Sequence, residues 1–77
     1  MKAYQVYSGD NNLVKTFFSR DKAIALLEEI KSTTPLYGDE LCYSEDKLIG
    51  DDKEYIEYYA HGWEITTICS LREIEIE

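Results

Sequence analysis

Few residues of this chain have the types and spacing that catalysis requires. His61 is the only histidine, so a Ser-His-Asp or Cys-His arrangement would have to use it. It lies at a predicted hairpin turn, where a side chain is expected to be exposed and to have no catalytic role. Cys42 and Cys69 are the only cysteines, and they have neither a CxxC spacing nor enough partners for a zinc site. We expect two reduced, packed thiols, with a disulfide or a reactive thiol as the alternative, and no enzyme.

The sequence also lacks the local motifs that hold phosphates or cations. Gly9, Gly38, Gly50 and Gly62 are isolated, which excludes a P-loop and a dinucleotide-binding fingerprint. The acidic run from 39 to 57 cannot be aligned with the ligand ladder of an EF-hand loop. We therefore expect no cofactor and no bound metal.

Charge is distributed unevenly along the 77 residues, whose formal net charge is −8. Residues 1–38 carry five basic and four acidic side chains, whereas residues 39–77 carry three basic and twelve acidic ones. Such a surface repels free nucleic acid and anionic membranes and attracts basic partners. Direct binding of DNA or RNA is therefore disfavoured, and a basic partner protein is favoured.

Acids and tyrosines of the second half form the predicted partner-binding site. The acids could imitate a phosphate backbone, and tyrosines are enriched at the centres of interfaces. The predicted site residues are Asp51, Asp52, Glu54, Tyr55, Glu57, Tyr59 and Glu64. An ordinary solvated acidic face with cross-strand tyrosine packing is the alternative.

The spacing of acids on one strand limits the comparison with DNA. Alternate strand residues lie about 6.7 Å apart, so Glu73, Glu75 and Glu77 form a row about half as dense as one DNA strand, with its charge every ~3.4 Å. A single row is too thin, and acids from neighbouring segments would have to lie on the same side.

A β-hairpin over residues 54–71, turning at His61-Gly62, is expected to organise the fold. This register would place Ala60 opposite Trp63 and Tyr58 opposite Ile65. The core face would then hold Ile56, Tyr58, Ala60, Trp63, Ile65, Cys69 and Leu71. The opposite face would hold Tyr55, Glu57, Tyr59, Glu64, Thr66 and Ile68.

The first half predicts a hairpin followed by a helix. Residues 2–8 alternate as a half-buried strand, residues 9–12 form a turn, and residues 13–18 return with Val14, Thr16 and Phe18 toward the core. Helix signals follow immediately. Ser19 is a good N-cap, Asp21 lies in the first turn and Lys31 in the last, and apolar residues recur at helical spacing at Ala23, Leu26, Leu27 and Ile30.

The remaining segments are less regular. Residues 36–53 are predicted to be an acidic connection that packs Leu41, Tyr43 and Ile49 against the edge of the sheet. A short strand or a helical turn at residues 41–43 and at residues 48–49 is the alternative. The apolar alternation changes parity after Leu71, which predicts a bulge or bend near Arg72. The whole chain, 1–77, is predicted to be a single α+β domain in β-β-α-β-β order, with a small antiparallel sheet and one helix on one face. Because the sequence shows neither a signal peptide nor a membrane span, a cytosolic location is expected.

The opening residues 1–10, followed by Phe18-Ser19 and the helix with Lys22-Ala23, resemble small uncharacterised phage-encoded proteins that begin with a β-hairpin running into a helix. The resemblance covers the first 30 residues. It implies a phage or prophage accessory protein, a group in which anti-CRISPR and anti-restriction inhibitors are common. Together with the acidic second half, it suggests a non-enzymatic, DNA-mimicking inhibitor that occupies the basic, nucleic-acid-binding surface of a host defence protein. There are other hypotheses for the function. The protein could be a small-ligand binding or sequestering protein, or an uncharacterised structural or interaction module. A homodimer through the face bearing Tyr55, Tyr59 and Ile68 is a further hypothesis.

Overall fold

One helix and five strands make up the described part of the computed structural model, residues 1–47 and 53–76. In chain order they are β1 (Lys2–Ser8), β2 (Asn12–Phe17), α1 (Arg20–Thr33), β3 (Glu40–Lys47), β4 (Glu54–His61) and β5 (Ile65–Glu75). All neighbouring strands are antiparallel, and their order across the sheet is β2-β1-β5-β4-β3. The predicted α+β class, with an antiparallel sheet and one helix, is confirmed. The predicted element order lacked β3, which lies within the segment expected to be a connection.

Helix α1 follows the local signals of the sequence. The Ser19 hydroxyl accepts a hydrogen bond from the Lys22 backbone N–H at 3.4 Å, as an N-cap should. At the other end the Thr34 N–H donates to the Ile30 carbonyl before Pro35 stops the helix. Ala23 and Leu27 are buried against one face of the sheet, which we call the helix face. The opposite side is the open face.

The helix face supplies the core. Cross-strand pairing places Val6 of β1 opposite Leu71 of β5, and Leu71 opposite Ile56 of β4. These three residues are buried together with Leu27, and Cys69 lies under the helix with its thiol 3.6 Å from the Leu27 carbonyl oxygen. Burial of these side chains is what holds α1 on the sheet.

The β4–β5 hairpin forms, but its predicted register is wrong. The turn contains residues 62–64, so His61 pairs with Ile65 and Ala60 with Thr66. A β-bulge then places Ile68 as an extra residue between the pairs Tyr58–Cys69 and Tyr59–Thr67. As a result Trp63 and Ile65, which were predicted to be in the core, are 99% and 68% exposed, whereas Ile68 is buried with the core.

The predicted inward face of β2 is also wrong. The register of β1 and β2 shifts at Val14, so Tyr4 pairs with Phe17 and Val6 with Lys15. Phe17 therefore packs against the core, while Phe18 is 67% exposed and Val14 is exposed. One bulge residue was enough to exchange the two faces of the strand.

No bulge forms near Arg72, contrary to the prediction. The pairing of β1 with β5 is continuous from Lys2–Glu75 to Ser8–Cys69. The parity change is resolved because Glu73, not an apolar residue, takes the next helix-face position. It is buried there, with its carboxylate 3.6 Å from the Lys2 ammonium. Among the described residues, no helix has the length and apolar character needed to cross a membrane.

Candidate binding surfaces

The seven predicted site residues do not lie on one surface. Asp51 and Asp52 lie outside the described residues. Glu54 is on the helix face, and Glu64 is exposed in the β4–β5 turn. Tyr55, Glu57 and Tyr59 alternate along β4 on the open face and are half-buried. The structure therefore brings together only the residues of β4 that share a face.

Glu54 is engaged inside the molecule. The Arg20 guanidinium donates to both of its carboxylate oxygens, at 2.8 Å and 2.9 Å. These bonds hold the pKa of the Glu54 carboxyl below its usual value. Because Arg20 begins α1 and Glu54 begins β4, the pair ties the start of the helix to the sheet, and the Glu54 charge is largely neutralised.

The open face is aromatic and mixed in charge. Arg72 of β5 lies opposite Tyr55, with its guanidinium carbon 5.9 Å from the Tyr55 ring centroid and 5.6 Å from that of Tyr7. Burial raises the pKa of the Tyr55 hydroxyl. Glu57 accepts a hydrogen bond from the Thr67 hydroxyl at 2.7 Å. With the Arg72 cation at its centre and Glu57 already bonded to Thr67, this face is a poor imitation of a phosphate row.

A different surface lies at the end of the sheet where β3 begins and β4 turns into β5. It consists of residues 37–40 and 61–65, and we call it the hairpin tip. It contains Trp63 and Tyr37, whose side chains are 99% and 91% exposed, and the 68% exposed Ile65. Asp39, Glu40 and Glu64 are exposed beside them, and the tip contains neither lysine nor arginine.

The backbone of the tip is held in a specific shape. Tyr37 has a φ of 51°, a left-handed conformation that costs a non-glycine residue on the order of 1–3 kcal/mol and tends to mark functional segments. The Asp39 carboxylate lies against Gly62, where the methyl group of an alanine would overlap it. The Gly62 N–H donates to the Glu64 carbonyl at 3.1 Å and closes the turn. The exposed side chains are thus presented by a defined turn.

A cleft opens beside the tip on the helix face. Its volume is about 440 Å³, within the range of small-molecule sites. Ile30, Pro35, Ala60 and Ile68 supply apolar lining, and Thr34, Thr66 and Thr67 are among the residues that add polar groups. It lies between the end of α1 and the β4–β5 hairpin.

Three side chains with different donor atoms meet on the open face, and two of them, Glu40 and His61, belong to the tip. Glu40 of β3 pairs directly with His61 of β4, and Cys42 follows two residues after Glu40 on the same face. Their ligating atoms all lie within 4.8 Å of one another. Sequence reasoning missed this cluster because it kept a strand at residues 41–43 only as an alternative and did not pair that segment with His61. The alternation of Glu40, Cys42 and Ser44 with Leu41 and Tyr43 was the available signal.

Comparison of the chain with protein-family models, with curated proteins and with solved structures finds no match. Function therefore has to be inferred from the residues and their arrangement.

Proposed function

We propose that this chain is a non-enzymatic binding domain whose hairpin tip docks on a basic surface of a partner protein. The observation that carries the proposal is the full exposure of Trp63 on a defined turn flanked by three acids. Tryptophan is among the residues most enriched in interface hot spots, and an exposed one gains a large apolar contact on binding. The surrounding acids select a basic partner and accelerate its encounter.

The partner class follows from the charge of the chain. A net charge of −8 disfavours free nucleic acid and favours the basic groove of a protein that binds nucleic acid. Together with the resemblance of the first 30 residues to phage-encoded proteins, this supports an inhibitor of a host defence protein, of anti-CRISPR or anti-restriction type. The Arg20 pair at Glu54 and the Thr67 bond at Glu57 move the proposed contact from the β4 acids to the tip.

Capture of partners from a bacterial lysate at low and high salt tests this proposal. Trp63→Ala should abolish capture of a basic protein, and Glu64→Lys should weaken it, because each removes part of the tip. Phe18→Ala and Glu29→Lys are matched controls, since both residues are exposed away from the tip. All four variants should keep the melting temperature of the parent.

The salt dependence of capture, and a variant of the open face, test the proposed site further. Capture through opposite charges should fall as salt rises from about 0.05 M to 0.5 M, because the Debye length shortens. If Trp63→Ala captured the same basic protein as the parent while Tyr59→Ala released it, the open face would be the site and the tip proposal would be wrong.

The cleft supports a second candidate function, small-ligand binding. Its apolar lining, with a few polar residues among it, fits a compact, mostly apolar molecule with one or two polar groups. Ala60→Leu would fill the cleft from β4 and leave Trp63 and Glu64 of the tip unchanged, although Tyr37 and Asp39 of the tip also line the cleft. A metabolite that raises the melting temperature of the parent, and not of Ala60→Leu, would identify this function.

A further inference from the structure

The register of β3 and β4 builds a side-chain cluster that no local sequence motif predicts. Glu40 and His61 are direct cross-strand partners, a relation that places Cβ atoms about 5 Å apart. Cys42 is two residues from Glu40, so its side chain points to the same face. The cluster thus brings a carboxylate, a thiol and an imidazole together from two strands.

The distances suit one shared ion. Ligand atoms at about 2.0–2.3 Å from a tetrahedral zinc ion lie roughly 3.3–3.6 Å from each other. The three ligating atoms already lie within 4.8 Å of one another, so small side-chain rotations bring them to the ion. Glu40 and His61 are exposed and able to make these rotations, while the half-buried Cys42 is held more closely by the sheet. The Cys42 thiol makes a weak contact with the Glu40 carbonyl oxygen, at 3.9 Å.

The donor set selects the class of metal. Thiolate and imidazole disfavour Mg²⁺ and Ca²⁺, which prefer oxygen ligands, and favour zinc and similar transition ions. Three protein ligands leave a fourth tetrahedral position for water or for a donor from another molecule. Binding requires a thiolate, so the Cys42 thiol loses its proton to solvent as the sulfur–metal bond forms.

We propose that Glu40, Cys42 and His61 form a binding site for one divalent transition-metal ion of the zinc type. The site lies on the open face and shares Glu40 and His61 with the tip, but it uses neither Trp63 nor Glu64. Loss of metal binding in Cys42→Ser would leave the partner capture by Trp63 unaffected, and loss of capture in Trp63→Ala would leave metal binding unaffected.

Titration with Co²⁺ and Zn²⁺ tests the site directly. The full chain, reduced, free of any affinity tag and treated with a chelator, should bind one Co²⁺ ion with the near-ultraviolet charge-transfer band of a cobalt–thiolate bond. Zn²⁺ should displace it, and calorimetry in buffers of different ionisation enthalpy should show about one proton released per ion at neutral pH.

Variants assign the ligands. Cys42→Ser should remove the charge-transfer band, and Cys42→Ser, His61→Ala and Glu40→Gln should each weaken zinc binding by more than about tenfold, the scale on which even outer-shell changes act. Glu64→Gln and Cys69→Ala should bind as the parent does, and circular dichroism should show all variants folded. The proposal is overturned if no saturable binding of one ion occurs, or if Cys42→Ser binds Zn²⁺ as tightly as the parent. Binding through exposed carboxylates alone gives the second result.

Discussion

Tyr58 shows how a single residue joins the helix to the edge strand β3 of the sheet. Its hydroxyl donates to the Glu28 carboxylate at 2.7 Å, and the Lys31 ammonium lies 4.8 Å from its ring centroid. On the other side its ring packs against Tyr43, with centroids 5.1 Å apart. Burial, with the Glu28 carboxylate beside it, raises the pKa of Tyr58 to about 12. Only the neutral phenol can make this hydrogen bond.

Because the Tyr58 pKa is raised, the free energy of unfolding should decrease as the pH rises through the alkaline range. The value rises from 10.0 to about 12 on folding, so the stabilisation is complete below pH 10 and is lost between pH 10 and 12. Tyr58→Phe should lower the free energy of unfolding by on the order of 1 kcal/mol at neutral pH. The variant should also show a smaller decrease in the free energy of unfolding above pH 10 than the parent. Urea unfolding at several pH values measures both effects, with the exposed Tyr37→Phe as control. Equal curves for Tyr58→Phe and the parent would contradict the role of the hydroxyl.

Leu27 and Ile65 provide a test of how the elements pack. Leu27 is 1% exposed under α1, so Leu27→Ala should cost about 2–5 kcal/mol by deleting buried methylenes. In a domain with only a few kcal/mol of total stability, little folded protein should remain. Ile65 is 68% exposed after the bulge shifts its strand, so Ile65→Ala should leave the thermal midpoint nearly unchanged. A large loss of stability in Ile65→Ala would mean that the hairpin has the register predicted from sequence.

The elements differ in how far the sequence determines them locally. Helix α1 was predictable because its cap, its charged ends and its apolar period all lie within the segment itself. The hairpin was predictable in place but not in register, because a three-residue turn and the extra residue Ile68 each shift the alternation, and neither has a strong local signal. Strand β3 was missed because its acids resemble those of a loop. The Glu40, Cys42 and His61 cluster depends on that strand and was therefore missed with it.

At the scale of the whole molecule, self-association and partner binding should respond to salt in opposite ways. Two copies that each carry a net charge of −8 repel, so pairing through the open face at Tyr55 and Tyr59 requires that salt screen this charge. Ile68 no longer contributes to such an interface because it is buried on the helix face. Binding of a basic partner should instead weaken as salt increases.

Sedimentation at high micromolar concentration measures this association. We expect dimers at high salt and monomers at low salt, and Tyr59→Glu should be monomeric in both. Phe18→Glu adds the same charge at an exposed position between β2 and α1 and should dimerise as the parent does. A parent that stays monomeric at both salt concentrations would contradict the dimer and leave the open face available for other contacts.

The position of β5 between β1 and β4 has a consequence for how this protein folds. Strands β1 and β2 form one hairpin and β3 and β4 form another antiparallel pair. Of the five described strands, β5 is the one that joins these two pairs. Its pairing of Lys2 with Glu75 spans nearly all 77 residues. Closing so long a loop costs entropy before the contacts repay it, and folding of such topologies takes on the order of milliseconds to seconds. During synthesis the two pairs must therefore wait for the last strand to leave the ribosome, and until then their inner edges stay open to pairing with other chains.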